Sequence, residues 1–297
     1  MAKADVAAKT LKKTVDLSGV GLHSGLAVSL RIGPAPAGGG IRFFRTDLPG
    51  RPSVRAHEFD HNAAPFRTVI KHGAAEVHTV EHLLSALAGL GITDCYIEID
   101  GVEVPGMDGS AAPFVSAIRE AGISVYSGSS VPVLVVDKEV AVEDGQARIS
   151  AVPYPIAGPD GLGGLRISYT LNYPGYPLAQ GSLEIEMNED TYINEIAPAR
   201  TFAVKKDAEA MRAAGLGKGA NLQNTVVIDG DHALETTLRF DNEPVRHKIL
   251  DLIGDLYVLE RPVHAHIIAS CSGHRANRML AKRLCEAFPT TFGTRSC

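Results

Sequence analysis

The sequence predicts an α+β protein of two similar domains, each a β-sheet that carries its helices on one face. Two observations carry that prediction. Strand-like segments accumulate before helix-like ones instead of alternating with them, which points to layered α+β units and away from a parallel βαβ sheet. The same order then recurs loosely, once in residues 1–126 and again in residues 131–297. Two such units bury their apolar helix faces by packing helix against helix, which leaves the two sheets outside. With 297 residues, of which 45% are hydrophobic and 21% charged, the chain is long enough to give each unit its own core.

The elements follow in order. From Lys9 to about Asp60 the pattern is strand and turn: Leu26 to Ile32 alternates, a Gly/Pro/Ala turn fills 33–40, and Ile41 to Arg45 resumes a strand. Val80, Leu83, Leu84, Leu87 and Leu90 recur at helical spacing and predict a helix over 79–90, with Thr79 as N-cap and Gly91 as the stop. Cys95 to Asp100 reads as a strand, 101–110 as a Gly/Pro-rich turn, and Ala111 to Ala121 as a helix. The Ser/Gly-rich run SVYSGSSVP is the expected boundary between the domains. Beyond it strands are expected near 131–142, 146–152, 165–171 and 182–187, and a long helix near 243–259. Residues 200–230 interrupt the second copy with strand, helix and strand character, and an insertion of that size usually carries function.

Charge and composition exclude some tasks. A net charge of -5 argues against a protein built to neutralise a nucleic-acid backbone. No uncharged apolar window of eighteen residues occurs, and the N-terminal lysines precede no apolar run or cleavage site. A cytoplasmic protein without stable membrane insertion is therefore expected. Cys95, Cys271, Cys285 and Cys297 lack CxxC spacing, which predicts neither a thiolate metal site nor a disulfide framework.

Three segments bear chemistry. His78-Thr-Val-Glu81-His82 has the H-x-x-E-H order of inverted zincins and allows two sites. In one, His78 and His82 both bind a metal and Glu81 is the base; in the other, only His82 binds and the remaining ligands lie elsewhere. On the second helix His247, Asp251 and Asp255 fall at i, i+4 and i+8, and at about 100° per residue they form one stripe. Val245, Ile249, Leu252, Ile253 and Leu256 surround that stripe, so its polar groups need buried partners, and a metal ion supplies one. His274 stands where an apolar strand ends at Gly273 before a helix, a place from which imidazole can act as acid or base. His264 and His266 share a strand face as a rival metal pair, disfavoured because no carboxylate or cysteine accompanies them at suitable spacing.

At these segments the chain resembles the UDP-3-O-acyl-N-acetylglucosamine deacetylases, zinc enzymes of lipid A biosynthesis in Gram-negative bacteria. The resemblance runs almost end to end through GVGLHSG at 19–25, TVEHLLSALAGLGI at 79–92, PGMDGSAAPF at 105–114, ARTF at 199–202, HKILDLIGDL at 247–256 and SGHRAN at 272–277. It implies zinc held by His82, His247 and Asp251, with iron(II) as the alternative ion, and Glu81 as general base. His274 is then the general acid and oxyanion partner, Asp255 its hydrogen-bond partner, and Thr201 a holder of the acetyl oxygen. Phe202 would pack on the sugar, Lys248 would face the diphosphate, and His23 would lie near the substrate. The implied fold has helices between two outer sheets and the site at the domain interface, with 200–230 lining an acyl passage. The implied partner is the acylated nucleotide sugar, not nucleic acid, and a monomer is the expected state. Two rival functions remain at this point: a peptidase using His78, and a binding module with a structural metal. The second would need four closing ligands where three are in view.

Overall fold

The structure is a computed structural model in which residues 5–60, 63, 66–155 and 164–289 are described. The outermost ends of both expected domains, and Cys297 with them, lie outside these residues. The first half contains β1 (Asp5–Leu11), β2 (Val15–Val20), β3 (Ala27–Pro34), β4 (Ile41–Arg45), β5 (Ser53–Arg55), β6 (Val69–His72) and β7 (Ala75–His78). Helix α1 (Glu81–Gly89), β8 (Cys95–Ile99), α2 (Ala112–Ala121) and β9 (Ile123–Pro132) complete it. The second half opens with β10 (Leu134–Val135), β11 (Val140–Asp144), β12 (Ala147–Val152), β13 (Leu165–Asn172) and β14 (Gln180–Met187). After the one-turn α3 (Glu189–Thr191), the insert supplies β15 (Phe202–Val204), α4 (Lys205–Ala213), β16 (Val226–Asp229) and β17 (His232–Ala233). Helix α5 (Glu243–Leu256), β18 (Val263–Ser270) and α6 (His274–Ala287) close the fold.

The fold is α+β with two domains, and its duplication is visible in the register. One sheet runs β2-β3-β8-β4-β5 and the other β11-β12-β18-β13-β14. In each the pairings read antiparallel, antiparallel, parallel, antiparallel, with the parallel pair at β8–β4 and β18–β13. Period-two alternation builds the sheets: Val28, Leu30 and Ile32 point inward from β3, and Leu165, Ile167, Tyr169 and Leu171 from β13. Between the sheets α1 packs on α5, while α6 packs on β11 and β12 and α2 on β2. Every residue of α1 is buried, as is all of α5 except Arg246 and Lys248. Helices enclosed on all sides fit a position between two sheets.

Two contacts fix how the halves meet. Gly254 on α5 lies against the backbone of Glu81, where a Cβ would stand 1.9 Å from the Glu81 carbonyl oxygen. Farther along, Glu260 accepts from Arg55 Nη2 at 2.8 Å and from the Ile41 amide at 3.1 Å, binding the end of the α5 region to the first sheet. Among the described residues no helix is long and apolar enough to cross a membrane.

SVYSGSSVP, the expected boundary run, lies within β9, which pairs antiparallel with β1. Other expectations need correcting. The strand expected over 131–142 is divided among the end of β9, β10 and β11, and the long helix ends in a 3-10 turn at Tyr257–Leu259. Cys95, which is buried, and Cys271, which is half-buried, are free thiols.

Candidate active site

Helix α1 begins at Glu81, not at Thr79. Thr79 has φ of 56°, and this left-handed turn ends β7 and aims the helix away from it. No side chain caps the helix; the Thr79 hydroxyl donates instead to Glu103 Oε1 at 2.8 Å. His78 stays on β7, where its Nε2 pairs with Glu76 Oε1 at 2.7 Å. His78 and His82 therefore do not share a helical turn, which removes the first of the two sites that the H-x-x-E-H order allowed.

The Gly254 crossing brings the start of α1 against the stripe on α5. His82 Nε2 lies 3.6 Å and His247 Nε2 3.3 Å from the same oxygen, Asp251 Oδ1. The imidazoles stand edge to face, 88° apart, with centroids separated by 5.1 Å. All three residues are buried, and Asp251 Oδ1 has no hydrogen-bond partner. A buried carboxylate oxygen left bare is costly, and two imidazole nitrogens converging on it form a donor set that fits a metal ion.

Secondary contacts prepare the same atoms. His247 Nδ1 faces the Ala199 carbonyl at 3.1 Å, so the ring donates there and Nε2 keeps its lone pair toward Asp251. Burial pushes the His247 imidazole down to about 4, which keeps it neutral at ordinary pH. Burial alone would raise the Asp251 carboxyl, but His247, Lys248 and His274 outweigh it and hold it well below the usual range. At neutral pH Lys248 and His274 carry that positive charge; Lys248 Nζ donates to Asp251 Oδ2 at 2.8 Å.

A second trio, Glu81, Asp255 and His274, adjoins the first. His274 Nδ1 lies 2.9 Å from Asp255 Oδ2, and its Nε2 faces Glu81 Oε1 at 3.9 Å and Asp251 Oδ2 at 3.8 Å. Burial would lower the His274 pKa, but Asp255, Asp251 and Glu81 raise it to about 9, so the ring is cationic near neutrality. Burial moves the Glu81 carboxyl the other way, upward, against the opposing pull of His274 and His82. The arrangement holds a cationic acid beside a carboxylate made more basic by its surroundings.

Both trios open on a cavity of about 910 Å³ that reaches from Glu81 and His82 to the insert. Thr201, Phe202, Lys248 and His23 line it, so nine of the ten residues that the family resemblance marks line this cavity, and the tenth, Asp255, lies behind His274. Phe202 stands edge to face with Tyr173 and with His247, at 6.0 and 6.4 Å. His23 is buried with Nδ1 unpartnered, and its amide donates to Glu103 Oε1. Ala203 and Met211 bring apolar surface from the insert. His264 and His266 are apart from the site; they face the Tyr154 carbonyl and Ser168 Oγ respectively.

Sequence reasoning missed the polar frame around these groups. Glu243 accepts from the amide and guanidinium of Arg200, and so fixes the segment that contains the Ala199 carbonyl and Thr201. Thr68 contacts both Glu81 and Asp255. Glu243 carried a usable signal, since it stands one turn before His247; Thr68 carried none.

The chain is similar to known proteins along nearly its whole length. The sequence profile described as UDP-3-O-acyl N-acetylglycosamine deacetylase matches residues 8–286. The chain is 42% identical over 281 residues to the UDP-3-O-acyl-N-acetylglucosamine deacetylase of Leptospira biflexa, covering 92% of this chain and 88% of that one. Its counterpart in Anaeromyxobacter dehalogenans is 40% identical over 279 residues (93% and 86%), and that of Bdellovibrio bacteriovorus 35% over 285 residues (96% and 91%).

Proposed function

The chain belongs to the UDP-3-O-acyl N-acetylglycosamine deacetylase family, and from that premise we propose that it hydrolyses the N-acetyl group of UDP-3-O-acyl-N-acetylglucosamine in lipid A biosynthesis, with zinc as cofactor. The observation that carries the reading is the bare, buried Asp251 Oδ1 facing two imidazole nitrogens, with an acid–base pair next to it. His82, His247 and Asp251 would hold the metal; iron(II), which the same ligand types suit, is the alternative ion. When bound, zinc supplies Lewis-acid polarisation of the acetyl carbonyl and acidifies water for attack.

The chain's own groups then divide the proton work. Glu81 Oε2 is occupied by the Thr68 amide, which leaves Oε1 toward His274 to take the proton of the attacking water. As the carbonyl oxygen gains negative charge, the cationic His274 and the Thr201 hydroxyl compensate it. His274 next gives its Nε2 proton to the departing amine, while Asp255 holds Nδ1 and keeps the ring oriented. Acetate and the free amine leave. Phe202 packs on the sugar, Lys248 faces the diphosphate, His23 contacts the substrate, and the apolar side of the insert takes the acyl chain.

The same reading makes the protein a cytoplasmic monomer of a Gram-negative cell, with unit 1–126 supplying one member of each trio, His82 and Glu81, and unit 131–297 the other two of each to an interface site. It is tested by metal content and deacetylation of UDP-3-O-acyl-N-acetylglucosamine. Wild type should bind one metal and turn over; His247→Ala should lose the metal; Glu81→Ala should keep it and lose about 10²- to 10⁴-fold in rate. Metal retained in His247→Ala, or no deacetylation by folded wild type, would reject the assignment.

A further inference from the structure

Thr68 lies in the loop before β6 and belongs to none of the sequence motifs, yet it is fully buried and touches two charged groups of the second trio. Its amide donates to Glu81 Oε2 at 3.0 Å, and its hydroxyl donates to Asp255 Oδ1 at 2.5 Å. A hydroxyl has one proton and an ionised carboxylate can only accept, so that proton goes to Asp255. Oγ1 then accepts from Arg278 Nη1 at 3.4 Å. Arg278, almost fully buried on α6, holds the same loop by donating to the carbonyls of Arg67 at 2.8 Å and Ala63 at 2.9 Å. On its other oxygen Asp255 receives His274 Nδ1 at 2.9 Å and Asn277 Nδ2 at 2.8 Å.

We propose that Thr68 is a positioning residue for deacetylation, holding Glu81 from α1 and, through Asp255, the imidazole of His274 in one frame. The inference rests on the roles given above to Glu81 and His274. Glu81 and Asp255 are buried carboxylates on different helices, and like charges in a medium of low dielectric repel. Thr68 gives each of them a donor without adding a charge. A cation in its place would satisfy both carboxylates but would compete with the imidazolium for Asp255. The neutral hydroxyl orients Asp255 and leaves its charge to His274. The geometry makes one residue set the placement of the group that takes the proton and, at one remove, of the group that gives it.

The test compares Thr68→Val, which keeps the shape and the amide, with Thr68→Ser, which keeps the hydroxyl. Thr68→Val should lower kcat by about tenfold to a hundredfold, the range of a hydrogen bond to a charged group, with KM within about twofold and metal content unchanged. Thr68→Ser should restore most of the rate, and Thr68→Cys, a weak donor of similar size, should not. The ring N–H proton resonance of His274, assigned by its loss in His274→Ala, should move in Thr68→Val and return in Thr68→Ser. In a His274→Ala background, Thr68→Val should cost less than about threefold more, because the two act through one path. Wild-type kcat in Thr68→Val, a serine variant as slow as the valine one, or full additivity with His274→Ala would overturn the proposal. Near-normal turnover of His274→Ala alone would instead overturn the acid role on which it rests, and the two failures are distinguishable because the resonance would still report the contact.

Discussion

Replacing Gly254 by alanine tests the packing on which the site depends. The added Cβ would stand 1.9 Å from the Glu81 carbonyl oxygen and 2.7 Å from its carbon, against 3.4 Å for the start of ordinary contact. The obstacle is backbone on both sides, so no side chain can swing away, and α1 and α5 must part by about 1.5 Å, the difference between 3.4 and 1.9 Å. Alanine gains about 1 kcal/mol over glycine inside a helix. Overpacking of a close contact costs about 1–3 kcal/mol, and rigid backbone puts this case at about 3, which leaves a net loss of about 2 kcal/mol. For a chain of this size that is a fall in Tm of roughly 3 °C by calorimetry. The functional loss should be larger than the loss in stability. His247 and Asp251 sit on α5 and His82 and Glu81 on α1, so parting the helices separates the groups of both trios. A misplacement of about 1 Å can cost about a hundredfold in rate. Turnover should therefore fall by at least that factor at a temperature where the variant remains folded. A Gly254→Ala protein with unchanged Tm and unchanged turnover would refute the argument that this crossing is what assembles the site.

Three other outcomes follow from the same structure. In metal-depleted protein the His274 pKa is raised from 6.5 to about 9, so its contribution, about 3 kcal/mol, is complete below pH 6.5 and lost as pH rises through 9; denaturant unfolding at pH 6 and pH 9.5 should differ in that direction, and equal stability at both would contradict it. Glu243→Ala strands the buried Arg200 guanidinium and should cost about 3–5 kcal/mol in the same measurement, whereas a loss under 1 kcal/mol would mean that the pair does not anchor the Ala199–Thr201 segment. Lys248→Ala should chiefly raise KM for the nucleotide sugar, and an unchanged KM would eliminate its contact with the diphosphate.

The fold was legible where one period dominates. Alternation marked β3 and β13, and the leucines of 83–90 marked α1, because in each case the burial of one face is written locally. The strand character of the run 124–132 was hidden for a physical reason. Its serines and glycine weaken any strand signal, and it becomes β9 only because β1, more than a hundred residues earlier, offers a partner edge. Thr79 misled: a threonine before a helix normally caps it, but here the hydroxyl is claimed by Glu103 and the backbone turns left-handed.

The same distinction separates the parts of the site. His247, Asp251 and Asp255 were readable as a stripe because helical spacing places them on one face without help from the rest of the chain. Which atoms they meet depends on the Gly254 crossing, and a glycine inside a helix says only that something comes close, not what. The polar frame is less readable still. Thr68 is 13 residues from Glu81 and 187 from Asp255, and its importance comes from an amide and a hydroxyl that many loop residues could equally have offered. The side chains that perform chemistry are restricted to a few residue types at characteristic spacings, whereas those that hold them need only one donor in the right place. A sequence therefore exposes the first kind far more readily than the second, and in this protein the second kind decides whether Glu81 and His274 face each other across 3.9 Å or merely share a cavity.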